Sequence, residues 1–322
     1  IWGNVSTKIK TSRKLDDNAY KIAVDSLHGF IPELALKNKL ADQLLQKSEY
    51  TNVLKNNLKI KTDKDLNQIS IGKYINTLEN DNDNKDQVAV LYASGEIFNG
   101  DDYSNINSEK YVKYIKDLAD DDDVKAVVFR VNSPGGSAYI SEQIWKEVVE
   151  LKAKKPIVVS MGNYAASGGY YISCAANKIV AERTTLTGSI GVFGVVRNFT
   201  GTFDKVGVTT DIVKTNTFAD LGDISRPMRE DEKALIQRGV EQTYDLFLTR
   251  CADGRGMTKA EIDSIGQGRV WTGEQALERG LVDQLGGMDD AIKEAATLAE
   301  LTDYSVIVAD GPKDFFTKFM EK

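Results

Sequence analysis

The sequence predicts an α/β fold built on a mainly parallel sheet. Short apolar runs of strand length, VAVLY (88–92), VKAVVFRV (124–131) and PIVVS (156–160), are rich in β-branched residues. Segments of about ten residues with apolar positions at helical spacing separate them. Strands alternating with helices in this way build βαβ units, whose neighbouring strands run parallel.

The elements follow in chain order. Residues 1–60 read as helical, rich in Lys, Asn and Leu. The run NDNDNKDQ (80–87) has no apolar residue and reads as a linker. It divides the chain into a helical tail, 1–79, and a larger module, 88–322. In that module Val88–Tyr92 is a buried strand and Tyr111–Leu118 a helix. The acidic run Asp120–Asp123 reads as a solvated loop. Val124–Val131 is a second strand, Ser141–Leu151 a helix and Pro156–Ser160 a third strand. Tyr170–Ala176 reads as helix and Lys178–Ala181 as strand.

The counts narrow the chemistry. The 322 residues carry 41 basic and 48 acidic side chains, a net charge of −7, which argues against non-specific nucleic-acid binding. One histidine, His28, argues against a histidine-dependent triad or a multi-histidine metal site. Two cysteines, Cys174 and Cys251, are too few for a disulfide scaffold or a Cys-rich zinc site. No cofactor or metal is expected. No apolar run reaches the about 18 residues of a membrane-spanning helix. The chain opens at Ile1 rather than Met, which reads as a fragment whose membrane anchor lies upstream.

An internal repeat bears on the organisation. ALKNKLADQL (35–44) and ALERGLVDQL (276–285) share six of ten positions at a constant offset of 241. Glu33 faces Glu274 at the same offset. Duplication is the expectation, with residues 1–79 as the tail of a truncated first module and 88–322 as a second module.

Two small-residue turns carry the chemistry. Asn132-Ser133-Pro134-Gly135-Gly136-Ser137 lies between a strand and a helix. Consecutive glycines expose backbone N–H groups that can hold an anion or an oxyanion. Tyr164-Ala165-Ala166-Ser167-Gly168-Gly169-Tyr170 also follows a strand. Small neighbours leave the Ser167 hydroxyl approachable, as a nucleophile requires. A third segment, Leu186-Thr187-Gly188-Ser189-Ile190-Gly191, places Ser189 in a turn. Glycines needed only for tight strand-to-helix turns are the alternative for each segment alone.

Together and in this order, VNSPGGS (131–137), VVSMGNYAASGGYYIS (158–173) and LTGSIGVFG (186–194) resemble the signal peptide peptidase A (protease IV) family. GRVWTGEQALERGLVDQLGG (268–287) resembles its C-terminal signature. The resemblance covers 88–320 well and the first 60 residues weakly. It implies a crotonase- and Clp-protease-like fold of stacked ββα units. It also implies a serine endopeptidase with a Ser/Lys dyad, acting on extended, apolar peptides such as cleaved signal peptides. By resemblance Ser167 is the nucleophile, Gly136 and Gly168 are oxyanion donors, and Ser189 positions the lysine. The family's position is the extracytoplasmic (periplasmic) face of the bacterial inner membrane, and its members form homo-oligomers, here a tetramer.

The lysine departs from the family's pattern. In short members it follows the nucleophile by about 50 residues, and here that slot holds Ala219 or a neighbour. The chain therefore resembles the long, double-module form, whose lysine comes from the missing first module, upstream of Ile1. Lys214 is the only local substitute. Two other readings remain: a crotonase-type acyl-CoA enzyme, and an inactive assembly module on the same fold. Arg226, Arg229 and Arg255 read as surface charge, Trp145 and Trp271 as core anchors, and Phe315, Phe316 and Phe319 as an apolar face that meets a membrane or a neighbour.

Overall fold

The polar run at 80–87 separates two compact units, Ile1–Asp83 and Asn84–Lys322. The structure is a computed structural model and describes residues 1–61, 66, 68–75, 84–98 and 105–309. Phe315, Phe316, Phe319 and positions 80–83 of the linker lie outside the described residues.

The first unit is helical, as its sequence predicts: α1 (Trp2–Arg13), α2 (Asp17–Asp25), α3 (Pro32–Lys37), α4 (Lys47–Asn57) and α5 (Ile71–Ile75). Its helix boundaries follow capping chemistry. The Asp16 carboxylate accepts from the Ala19 N–H at the start of α2. Pro32 sits in the first turn of α3, where its missing N–H costs nothing.

The second unit is built on a parallel sheet. Its elements are β1 (Gln87–Ser94), α6 (Ser108–Asp120), β2 (Val124–Ser133), α7 (Ala138–Lys154), β3 (Ile157–Ala166), α8 (Gly168–Tyr171), β4 (Lys178–Ala181) and β5 (Leu186–Gly188). There follow α9 (Thr200–Val206), α10 (Glu230–Arg255), α11 (Lys259–Ile265), β6 (Val270–Thr272), α12 (Gly273–Glu278), β7 (Gln284–Leu285), α13 (Met288–Leu298) and β8 (Ser305–Val308). The strand order is β6-β5-β3-β2-β1-β8, with β4 joining β3 to β7. Among the described residues every pairing is parallel except β5 with β6.

Alternation along the strands explains the layers. Ala89, Leu91, Val127, Phe129 and Val159 point into a core filled by Ile115 of α6 and Ile140, Ile144 and Val148 of α7. Val88, Val90, Ala126, Val128 and Val158 point the other way, onto Ala291, Ala295 and Ala296 of α13. Both sheet faces are covered, which is why these strands read as continuous apolar runs. Each fully buried Val, Leu, Ile or Phe contributes about 1.5–3 kcal/mol of transfer free energy.

Four details differ from the sequence reading. Gln87, read as linker, is the first residue of β1. The third strand runs on to Ala166, because Tyr164–Ala166 pair with Leu186–Gly188. The helix read at 170–176 is a short turn, Gly168–Tyr171. The acidic run is exposed, as read, but its first residue, Asp120, closes α6 and pairs with Lys154 at 2.7 Å. Among the described residues no helix is long and apolar enough to cross a membrane.

The sequence repeat extends into the backbone. Helices α4 and α13 have equal length, and their first residues, Lys47 and Met288, lie 241 apart. Both open on the same bond, Gln46 N–H to Glu49 at 2.7 Å and Gly287 N–H to Asp290 at 2.8 Å. Leu40 N–H returns to Ala35 as Leu281 N–H returns to Ala276. Lys39 and Gly280, at matching positions, are both left-handed, with φ of 59° and 72°. The Arg13 guanidinium reaches the Lys39 carbonyl and Asp42, as that of Arg255 reaches the Gly280 carbonyl and Asp283.

Candidate active site

Three strand ends build the site. Strands β2, β3 and β5 are adjacent and parallel, so their C-terminal turns emerge at one edge of the sheet. Ligand sites in open parallel sheets form at this edge. Ser133 pairs with Ala165, and Ala166 with Gly188. The next residues in the latter two strands are Ser167 and Ser189, so the register sets the two serines side by side.

Ser167 occupies a strained turn. Its φ of 53° and ψ of −120° lie outside the regions that L residues favour. Its N–H donates to the Gly188 carbonyl at 2.9 Å, and its carbonyl accepts from the Tyr171 N–H at 2.9 Å. The residue is half-buried, with Gly168, Gly169 and Tyr170 buried behind it.

The glycine turn packs directly on this serine. A Cβ on Gly135 would lie 2.5 Å from the Gly168 nitrogen and 2.8 Å from Ser167 Cβ. A Cβ on Gly136, whose φ is 151°, would lie 2.1 Å from the Ile97 carbonyl oxygen. Glycine is required at both positions because backbone fills the space a side chain would need. The bridge to Ile97 uses the Gly135 carbonyl, at 2.9 Å, and the Ser137 N–H, at 2.8 Å. It leaves the Gly136 N–H out of the pairing. The Ser133 hydroxyl accepts from the Gly135 N–H at 3.1 Å and stiffens the turn.

These residues line one cavity of about 1120 Å³. Gly135, Gly136, Ser167, Gly168 and Ser189 form one wall, and Val192, Phe193, Val240, Tyr244 and Phe247 supply apolar and aromatic surface. Its charged lining residues are Glu96 and Glu241, and no lysine, arginine or histidine lines it among the described residues.

The structure therefore brings Ser167, Ser189, Gly136 and Gly168 together at one cavity. It does not bring Lys214 there. The Lys214 amine pairs with Asp220 at 3.0 Å, within a cluster that includes Arg226, Arg229 and Glu232. Lys214 holds the Asp220 carboxyl well below the usual carboxylate range, with Arg226 and Arg229 adding to the effect. Arg226, chiefly through its hydrogen bonds, lowers Glu232 to about 2.

Arg226, Arg229 and Arg255, read as surface charge, are all committed to ion pairs, and the Arg255 side chain is 6% exposed. Trp145 is buried, and Trp271 is half-buried with the Arg279 guanidinium 3.8 Å above its ring. His28 is half-buried in the first unit. Cys174 and Cys251 are both buried free thiols, and the Cys174 thiol donates to the Tyr171 carbonyl at 3.1 Å.

Sequence reasoning missed Glu142, Tyr171, Arg250 and the α10 residues that face the cavity. A buried tyrosine four residues after Ser167 needs an acceptor for its hydroxyl, and that was the available signal.

The chain is similar in sequence to known proteins. Residues 149–302 match the model of peptidase family S49, and residues 79–190 match the Clp protease model. The chain is 38% identical over 311 residues to Protease 4 of Salmonella typhi, covering 94% of this chain and 50% of that protein. It is 34% identical over 262 residues to the chloroplastic serine protease SPPA of Arabidopsis thaliana, covering 79% of this chain and 39% of that one. A protein of Methanocaldococcus jannaschii designated a protease is 34% identical over 229 residues, 69% of this chain and 74% of the relative. The chain thus spans half or less of the first two relatives. The fold is the Clp-protease-like α/β class expected from the sequence, and the chain belongs to peptidase family S49.

Proposed function

We propose that this chain carries the nucleophile of a serine endopeptidase, with Ser167 attacking the scissile carbonyl. The observation that carries the reading is the strained Ser167 turn, packed on Gly135-Gly136 and facing a large cavity with apolar and aromatic residues in its walls. A serine hydroxyl is a weak nucleophile near neutral pH and needs a general base. The base is a lysine amine, kept neutral by burial. It is supplied from outside residues 1–322, since among the described residues no lysine lines the cavity and Lys214 is committed to Asp220. Ser189, beside Ser167 in the register, holds that amine.

The Gly136 N–H, left out of the bridge to Ile97, stabilises the oxyanion, and Gly168 supplies a second N–H. One such donor contributes about 3–4 kcal/mol in the transition state. The same amine then protonates the leaving group. The apolar walls suit extended, apolar peptides such as cleaved signal peptides. The matched caps and ion pairs of α1–α4 and α10–α13 favour a double-module protein, with residues 1–79 as the tail of one module and 88–322 as the other. We place the working enzyme as a homo-oligomer, a tetramer, at the extracytoplasmic face of the bacterial inner membrane.

The test is labelling by a fluorophosphonate together with hydrolysis of apolar peptides. The gene-encoded protein is expected to label at Ser167 and to hydrolyse peptide, and Ser167→Ala is expected to lose both. Residues 1–322 alone are expected to hydrolyse little or nothing. Turnover that survives Ser167→Ala would discard the nucleophile, and robust Ser167-dependent turnover by residues 1–322 would discard the external base.

A further inference from the structure

The nucleophile turn is a poor candidate for rigidity on its own. Ser167 sits at positive φ, a conformation that costs of order 1–3 kcal/mol and persists only when its surroundings impose it. The helix that follows is four residues long, too short to hold itself.

Tyr171, the last residue of that helix, is where the turn is fastened. Its N–H closes onto the Ser167 carbonyl at 2.9 Å. Its hydroxyl donates to the Glu142 carboxylate at 2.5 Å. Arg250 grips the same carboxylate through two nitrogens, at 2.5 and 3.2 Å. The Arg250 guanidinium lies 4.0 Å from the Trp145 ring centroid, and the Tyr171 ring packs 4.6 Å from that of Phe247. Burial, then the bond to Glu142, pushes the Tyr171 hydroxyl far above its ordinary pKa, so it remains a donor across the working range.

The position of Glu142 gives this contact its meaning. It lies in α7, four residues after Ala138, where that helix leaves the Gly135-Gly136 turn. One rigid helix therefore begins at the glycine turn and ends its first turn on Tyr171. Ser141, adjacent in α7, lies against Gly168: a Cβ there would be 2.7 Å from the Ser141 hydroxyl oxygen. Glu142 itself does not line the Ser167 cavity, so it acts through Tyr171 and not on substrate.

We infer that Glu142 is a positioning residue: with Arg250 it clasps Tyr171 and fixes the spacing between the nucleophile turn and the glycine turn. The inference rests on the reading of Ser167 as the nucleophile. Loss of the clasp lowers the rate of acylation while leaving peptide binding nearly intact, because neither Glu142 nor Arg250 lines the cavity.

The experiment uses the gene-encoded protein in its native assembly. Active sites are titrated with a fluorophosphonate, and kcat per titrated site, KM and the labelling rate constant are measured for Glu142→Ala, Glu142→Gln and Tyr171→Phe. Glu142→Ala and Tyr171→Phe are each expected to lower kcat per site and the labelling rate about 10-fold or more, with KM within about 2-fold. Glu142→Gln keeps an acceptor for the hydroxyl and is expected to recover part of the loss. The double variant is expected to fall little below either single one, since both open one clasp. A purely structural role would reduce folded yield or Tm and leave kcat per titrated site unchanged, and that result overturns the inference. If Glu142→Ala does not fold, Tyr171→Phe, which removes one oxygen, decides it alone. Labelling that survives Ser167→Ala in the otherwise unaltered protein fails the parent reading instead, whatever the clasp variants do.

Discussion

At the scale of single residues, backbone conformation carries most of the site. Ser167 needs a positive φ to turn its side chain out of the sheet, and Gly135 and Gly136 need to be glycine for the chain to approach Ser167 and Ile97. The steric argument predicts the cost of Gly136→Ala. The added methyl would sit 2.1 Å from the Ile97 oxygen, so the turn must move. A destabilisation of about 3 kcal/mol is expected in urea denaturation, together with loss of fluorophosphonate labelling. These residues were legible in the sequence because a tight turn restricts composition to glycine and small side chains. Glu142 and Arg250 were not legible. They meet Tyr171 across separations of 29 and 79 positions, and no local pattern marks such a contact.

At the scale of elements, the segment between β5 and α10 depends on charge. Asp220 and Glu232 are buried carboxylates held by Lys214, Arg226 and Arg229. Glu232 is lowered from 4.5 to about 2, so its folded form holds its proton less tightly than its unfolded form. The stabilisation is complete above pH 4.5 and is lost as pH falls from 4.5 towards 2. Hydrogen exchange is expected to show residues 214–232 opening between pH 5 and pH 2.5 before the amides of β2. Equal loss in both places would remove the cluster as the latch. The buried strands β1 to β4 were legible as apolar runs or their cores. Strands β5 and β6, three residues each, were not, because they exist through pairing with β3 and with each other. The extension of β3 to Ala166 has the same cause, and it is what brings Ser167 level with Ser189.

At the scale of the whole molecule, the two units hold the same turn with different strength. The Arg255–Asp283 pair has side chains 6% and 22% exposed, against 25% and 86% for Arg13–Asp42. Removing one partner of a buried pair costs about 3–5 kcal/mol, whereas an exposed pair contributes about 0–1. Arg255→Ala is therefore expected to destabilise the second unit by about 3 kcal/mol, and Arg13→Ala the first by under about 1 kcal/mol. Hydrogen exchange followed separately in α13 and α4 measures the two, and equal losses would show that burial does not set the difference. The matching turns carry one more consequence. At two left-handed positions related by the offset of 241 the second unit has glycine, Gly268 and Gly280, where the first has Leu27 and Lys39. The same backbone path is thus held by glycine in one unit and by a residue with a side chain in the other, so here a left-handed turn tolerates residues that are not glycine.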